Sequence, residues 1–401
     1  MNNRISSRVS KIKPSATMSL NAKTKMLLKS GKNIINMSVG EPDLEPPLAA
    51  SFSGIKAIVN GQTGYTPAAG IQELRESISD YLWDQNKVRF HPNQIVTSAG
   101  GKQPLYNVFQ VICDYGDEVI LPSPFWVSYP EQISLAGAKP IIVRCNSTAN
   151  FKLSHKQLIE SITEKTKAVI INSPNNPTGS VYTESELLEI GNILKNHPNI
   201  FIISDEIYDK FVYEGKHVSI SSLFPELLDR IIITNGFSKV FAMTGWRLGY
   251  IVAPLDVAEA LTSFQSHATG SPSTISQYAG ISALKNFNES TVQEFKEKRD
   301  LLVNGLNKIP GINCIKPDGG FYIFPDVSSY FGARFENKII SDVSTFSNLL
   351  LDNQLISVVS GDAFGEPTNI RLNFTLSKDI ILEAIKRINN FTSQLQIVSK
   401  V

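Results

Sequence analysis

The chain has 401 residues, 42% of them hydrophobic and 19% charged, with a formal net charge of +1. That length allows two domains, or one large domain with a smaller companion. The charge balance excludes a basic field for nucleic acid and a polybasic patch for a membrane surface. The basic start, "MNNRISSRVSKIKPSATMSL", has no apolar core of signal-peptide length, and no run of about 18 apolar residues predicts a transmembrane helix. Three cysteines, Cys113, Cys145 and Cys314, form no C-x-x-C pair. They argue against a disulfide framework and a zinc site, so no metal is expected, and they suit a reducing cytoplasm.

Between about residues 94 and 252, short apolar runs alternate with longer amphipathic stretches. The runs are "QIVTSA" (94–99), "EVILP" (118–122), "KPIIVRC" (139–145), "KAVIIN" (167–172), "IFIISD" (200–205), "IIITNG" (231–236) and "LGYIVA" (248–253). Rich in Ile and Val and bounded by Gly, Pro, Asn and Asp, they read as buried strands. Segments such as "TESELLEIGNILKNH" (183–197) read as helices between them. The alternation predicts an α/β fold with a mostly parallel sheet covered on both faces.

After about residue 290 the texture changes. A long helical pattern (290–309) leads into "GGFYIFPD" (319–326), a helix over 343–354, a short strand "ISVVSG" (356–361), "IRLNFTL" (370–376) and a C-terminal helix. This predicts a smaller α+β domain. The expected division is 48–290 for the large domain, with 1–47 and 291–401 forming an N-terminal arm and the small domain. Within the long helix, "EFKEKRD" (294–300) mixes signs and reads as a solvated face.

Ligands of open α/β sheets bind beyond the carboxyl ends of the strands. The residues there include "GGKQ" (100–103), "NSPNNPTG" (172–179), "DEIYD" (205–209) and "GFSK" (236–239). Lys239 follows a buried strand and sits among Phe237, Val240, Phe241 and Met243. A lysine in such a setting loses some of its preference for the ammonium form and can attack an aldehyde as a neutral amine. Pyridoxal phosphate is the cofactor that suits it, and its other needs have candidates too. Asp205 can hold the pyridine nitrogen. Gly100 and Gly101 can cradle the phosphate at a helix start, with Arg247 as a fork donor. Trp126 can stack on the ring, and Asn176 and Tyr208 can bond its phenolic oxygen. Each residue alone has a bland reading as a turn, cap or core side chain; their joint order along successive strands is the signal.

With these motifs in view the chain resembles the class I aminotransferases of the fold-type-I pyridoxal-phosphate superfamily. The carriers are "GEPD" (40–43), "NSPNNPTG", "SDEIY" (204–208) and "SK-x-x-x-MTGWR-x-GY" (238–250). The subgroup it is most similar to is the bacterial aspartate and aspartate/prephenate aminotransferases with "GGKQ-x-L-x-N". The resemblance implies that Lys239 carries the cofactor and shuttles a proton. It implies that Gly101, Lys102, Arg247 and Ser238 lie around the phosphate, and that Arg371 and the Gly40 backbone bind the substrate α-carboxylate. Asn176 and Trp126 would border that substrate. Tyr65 would reach the phosphate of the other subunit in a homodimer with shared sites. Gly236 stands where many members of the family carry a serine.

The function expected is transfer of an amino group between aspartate or glutamate and 2-oxo acids, with Lys102 and Thr17 meeting the distal carboxylate. Alternatives are a prephenate, aromatic or kynurenine aminotransferase, and a carbon–sulfur lyase of the same fold. A regulatory domain of this fold would follow a DNA-binding module, for which the residues before 13 leave no room.

Overall fold

The computed structural model describes residues 4–396. The outermost residues of the expected division, 1–3 and 397–401, lie outside that range. In chain order the strands are β1 (Ile35–Asn36), β2 (Ile95–Ser98), β3 (Glu118–Ser123), β4 (Lys139–Arg144), β5 (Thr166–Asn172), β6 (Phe201–Asp205), β7 (Ile231–Gly236), β8 (Gly249–Val252), β9 (Tyr322–Ile323), β10 (Arg334–Phe335), β11 (Lys338–Ile339), β12 (Ile356–Ser357), β13 (Val359–Ser360) and β14 (Ile370–Asn373). The helices are α1 (Ala16–Lys29), α2 (Leu48–Val59), α3 (Gln72–Asn86), α4 (Lys102–Ile112), α5 (Tyr129–Leu135), α6 (His155–Ser161), α7 (Glu184–Lys195), α8 (Ile220–Leu223), α9 (Leu255–Ala268), α10 (Thr274–Leu284), α11 (Ser290–Leu306), α12 (Val343–Gln354) and α13 (Lys378–Ser393).

All seven apolar runs form strands of one sheet, ordered β2-β8-β7-β6-β5-β3-β4. It is parallel except for β8, which pairs antiparallel with both β2 and β7. Side chains alternate across a strand, so each run feeds two cores. Val169, Ile171, Ile202, Ile231 and Ile233 pack on one face beneath α3, α7 and α10. Ala168, Ile170, Ile203 and Ile232 pack on the other beneath α4, α5 and α9. The helix starts are set locally. Thr183 and Glu186 form a reciprocal capping box at α7, and Ser377 accepts from Ile380 N at α13.

Beyond α11, a three-stranded antiparallel sheet, β13-β14-β9, packs with α12 and α13. The N-terminal strand β1 joins this part of the molecule through a parallel pairing with β12. Two expectations change here. "ISVVSG" is not one strand: Val358 separates β12 from β13, and the two belong to different sheets. The "EFKEKRD" face is not wholly solvated, for Lys298 and Arg299 are buried along with Phe295. Lys298 Nζ donates to Thr375 O (2.8 Å) and pairs with Glu294, while Arg299 reaches Pro317 O (2.8 Å) and pairs with Asp300 and Glu214. Charged heads enter a core when carbonyls and carboxylates meet them there.

Candidate active site

The parallel register sets Asn172, Asp205 and Thr234 side by side at the carboxyl ends of β5, β6 and β7. All three line a cavity of about 490 Å³. Asp205 is buried, and Tyr129 Oη donates to its Oδ2 at 2.5 Å while Ile207 N–H reaches Oδ1 at 3.3 Å. Burial pushes the Asp205 carboxyl up to about 6; the Tyr129 and Ile207 bonds oppose this. A cation facing Asp205 would bring that pKa back down.

Lys239 begins the loop after β7, and its Nζ donates to Gly40 O. Burial, and then the nearby Arg371, bring its pKa down to about 8. The same loop holds two non-glycine residues in the left-handed region, Ala242 (φ 52°) and Arg247 (φ 53°). It thereby turns Arg247 back toward β2, where its guanidinium donates to Thr244 O (2.9 Å) and Ala99 O (3.3 Å). Gly100 (φ 77°) lies behind that guanidinium, and a Cβ on it would stand 2.4 Å from Arg247 Nη2. Gly249 of β8 carries the turn on its bare face: a Cβ there would meet Gly100 C at 2.6 Å. Three chain segments thus form a close-packed shelf beside the first turn of α4, whose N-cap is Gly101. At Gly236, where the resembled family often has serine, a Cβ would stand 3.1 Å from Gly249 Cα, a tight contact.

The opposite wall comes from β14. Arg371 is 2% exposed; its Nη1 donates to Asn176 Oδ1 (2.9 Å) and its Nη2 to Ser38 O (2.8 Å). Its Nε is buried without a partner. Tyr322 and Phe364 lie against the guanidinium at 4.2 and 4.9 Å to their ring centroids.

The cavity gathers nearly every residue singled out in the sequence. Gly40, Gly101, Ser238 and Thr17 line it beside Asp205, Lys239, Arg247 and Arg371. Trp126 and Tyr208 do so too, and Lys102 Nζ sits 5.2 Å from the Trp126 ring centroid. Partial burial and then Arg247 lower the Lys102 pKa. Tyr65 is not brought in: it is fully exposed and outside the cavity of its own chain. Sequence reasoning missed Tyr129, Tyr322 and Ser38. Tyr129 had a signal, an aromatic three residues past Trp126, where the segment after β3 enters α5. Ser38 had none, because it acts through a backbone carbonyl.

The cavity carries Lys102, Lys239, Arg247 and Arg371 against Asp205 and Glu41, an excess of cations that suits an anionic ligand. Comparison with known proteins agrees. Residues 32–388 match the family model for aminotransferase class I and II. The chain is 41% identical over 395 residues to the aspartate aminotransferase of Bacillus subtilis, covering 98% of this chain and 99% of that one. It is 37% identical to the aspartate/prephenate aminotransferase of Cereibacter sphaeroides, with 98% and 99% coverage. The crystal structure of the Rhizobium meliloti aspartate aminotransferase superposes with a TM-score of 0.93 at 34% identity, over 98% of this chain and all of that one. The family's cofactor, pyridoxal 5'-phosphate, fits the residues present. The glycine shelf leaves no room for a side chain, Asp205 is a buried carboxyl with no ion-pair partner among the described residues, and an amine with a lowered pKa stands in the same cavity as Arg371. Site and sequence together assign the chain: it belongs to the class I and II aminotransferases and is a pyridoxal-phosphate-dependent enzyme.

Proposed function

We propose that this aminotransferase exchanges amino groups between aspartate or glutamate and their 2-oxo acids in a ping-pong cycle. One observation carries the reading: Arg371 is a buried guanidinium with a free Nε and no ion-pair partner among the described residues. Such a cation calls for a carboxylate, and its fork binds one through two bonds.

Bound pyridoxal phosphate supplies an aldehyde carbon for an amine and a ring that draws electrons from the substrate Cα. Lys239 would hold that carbon, and its Nζ then moves the proton from Cα. A pKa near 8 leaves a usable share of neutral amine around physiological pH. Asp205 would hold the ring nitrogen in its protonated form, and Asn176 and Tyr208 would bond the phenolic oxygen. Gly100, Gly101, Lys102, Ser238 and Arg247 would surround the phosphate, and Trp126 would cover the ring face. Arg371 and the Gly40 backbone would orient the substrate α-carboxylate, with Asn176 and Trp126 beside it.

Lys102 and Thr17, both on the cavity wall, would receive the distal carboxylate. Prephenate is a second dicarboxylic substrate in this reading, since the similar proteins of Cereibacter sphaeroides and Aquifex aeolicus carry it in their names.

The working unit is a homodimer in which Tyr65 of the partner subunit completes each phosphate site. Supporting this, α2 exposes Leu48, Phe52, Ile55 and Val59 on one face, next to the loop that carries exposed Tyr65. Apolar stripes of that kind are covered in stable oligomers. The division into a large domain, 48–290, and a small one from 1–47 and 291–401 puts Lys239 and Arg371 on different bodies. Three free, buried thiols fit a cytoplasmic location.

The test is to mix holoenzyme with single amino acids and follow the cofactor spectrum as the amino group is taken up. Aspartate and glutamate should react fastest. Lys102→Ala should cut kcat/KM for both by about 30-fold, roughly 2 kcal/mol, the scale of one charge-assisted bond. Phenylalanine and alanine should change little. Equal losses for acidic and neutral substrates would show that Lys102 serves only the cofactor.

A further inference from the structure

Helix α1 forms part of the cavity wall through Thr17, Met18 and Asn21. Among its described residues a single one is buried, and that one is polar: Thr24, with no exposed surface. Thr17, Asn21 and Thr24 follow the i, i+4, i+7 spacing of one helix face. The face that meets the site is therefore anchored at its far end by a hydroxyl rather than by an apolar side chain. Leu20 adds a partly buried contact with the cluster that includes Phe364, the ring under Arg371.

Thr24 Oγ1 lies 2.9 Å from Ser357 Oγ, and Ser357 Oγ lies 3.2 Å from Ser38 Oγ. Ser38 Oγ donates to Asn36 Oδ1 at 2.7 Å. Each hydroxyl has one proton, and a single direction, Thr24 to Ser357 to Ser38 to Asn36, satisfies all three. Leu20 O, also 2.9 Å from Thr24 Oγ1, shares that single proton. Ser357 and Ser38 are buried as well. The chain ends where it matters, for the carbonyl of Ser38 holds Arg371 Nη2 at 2.8 Å.

We propose that Thr24 is a positioning residue: through Ser357 and Ser38 it fixes the cavity face of α1 relative to Arg371. A substrate gripped at one end by Arg371 and bordered at the other by α1 then meets two walls held at a set separation. The inference rests on the reading of Arg371 as the carboxylate grip. A purely structural Thr24 would stabilise the fold and leave substrate affinity alone.

Thr24→Val keeps the shape and removes the hydroxyl, leaving Ser357 without its donor. In the holoenzyme, KM for aspartate and Ki for succinate, a dicarboxylate with no amino group, should both rise about fivefold, the effect of one lost buried hydrogen bond. The kcat should stay within about twofold, since the reacting atoms are untouched. Thr24→Ser should restore both constants. Ser357→Ala breaks the same chain from the other side and serves where Thr24→Val does not fold. The double variant should be no worse than either single one, because both remove one linked unit. A lower Tm with unchanged KM and Ki would overturn the proposal, and so would additive losses in the double variant. If the wild-type holoenzyme takes no amino group from aspartate, the substrate reading fails instead.

Discussion

Arg299 of α11 and Arg371 of β14 are both buried guanidiniums, and their surroundings differ in kind. Arg299 spends all its donor groups on the protein: Nε on Asp300 (2.9 Å), Nη1 on Pro317 O (2.8 Å) and Nη2 on Glu214 (3.2 Å). Its partners' carboxylates reach solvent, and the Tyr213 ring lies 4.7 Å beneath it. Arg371 meets a side-chain amide and a carbonyl and keeps Nε free. Burial alone therefore does not mark a functional cation. What marks one is a desolvated positive charge that the chain leaves electrically unanswered, because a ligand is to answer it.

The comparison breaks or sharpens on three substitutions. Lys239→Ala should abolish turnover while leaving Tm unchanged or higher, since it deletes a buried amine with no acidic partner. Borohydride applied to the wild-type holoenzyme should fix the pyridoxyl group on Lys239, and a label on any other lysine would sink the assignment. The rate at which the apo-protein takes up pyridoxal phosphate should rise with pH around a midpoint near 8, as the neutral amine appears.

Arg371→Leu comes next. It should lower kcat/KM for aspartate by two to three orders of magnitude, since a desolvated carboxylate pair is worth roughly 2–5 kcal/mol. It also strips donors from Ser38 O and Asn176 Oδ1, but it removes a buried cation that no carboxylate of the protein answers, so Tm should fall by less than in Arg299→Leu. Arg299→Leu should do the reverse at a smaller scale. It strips a donor from Pro317 O and costs roughly 1–3 kcal/mol of stability, seen as a lower Tm with unchanged KM. Were Arg371→Leu to unfold the protein and Arg299→Leu to raise KM, the distinction between the two cations would be wrong.

The sheet was legible because its strands are buried on both faces and so read as continuous Ile and Val runs. The floor of the site was legible for the same reason: the residue ending each run had to stand at a carboxyl end. The region beyond α11 was harder. Its strands are two to four residues long, too short for a pattern to separate β12 from β13. Lys298 and Arg299 misled because composition shows charges but not the carbonyls that meet them. Thr24 was out of reach altogether, for its partner Ser357 is 333 residues away in the chain. Tyr322 lay in "GGFYIFPD", a stretch to which the sequence reading gave no element, and its ring under Arg371 is a fact of packing between β9 and β14.

The antiparallel strand β8 has a consequence for how the molecule is made. Edge strand β2 bonds to no main-sheet strand but β8, and Gly249 of β8 supports the Gly100 turn that follows β2. On a ribosome adding about 5–20 residues per second, β8 emerges roughly 150 residues, or about 8–30 seconds, after β2. Throughout that interval the nascent chain carries an unpaired strand edge and half of a cofactor shelf. The shelf closes only when a late strand slides between an early one and β7. Chain synthesis itself thus delays the packing of the Gly100 turn until the large sheet is complete.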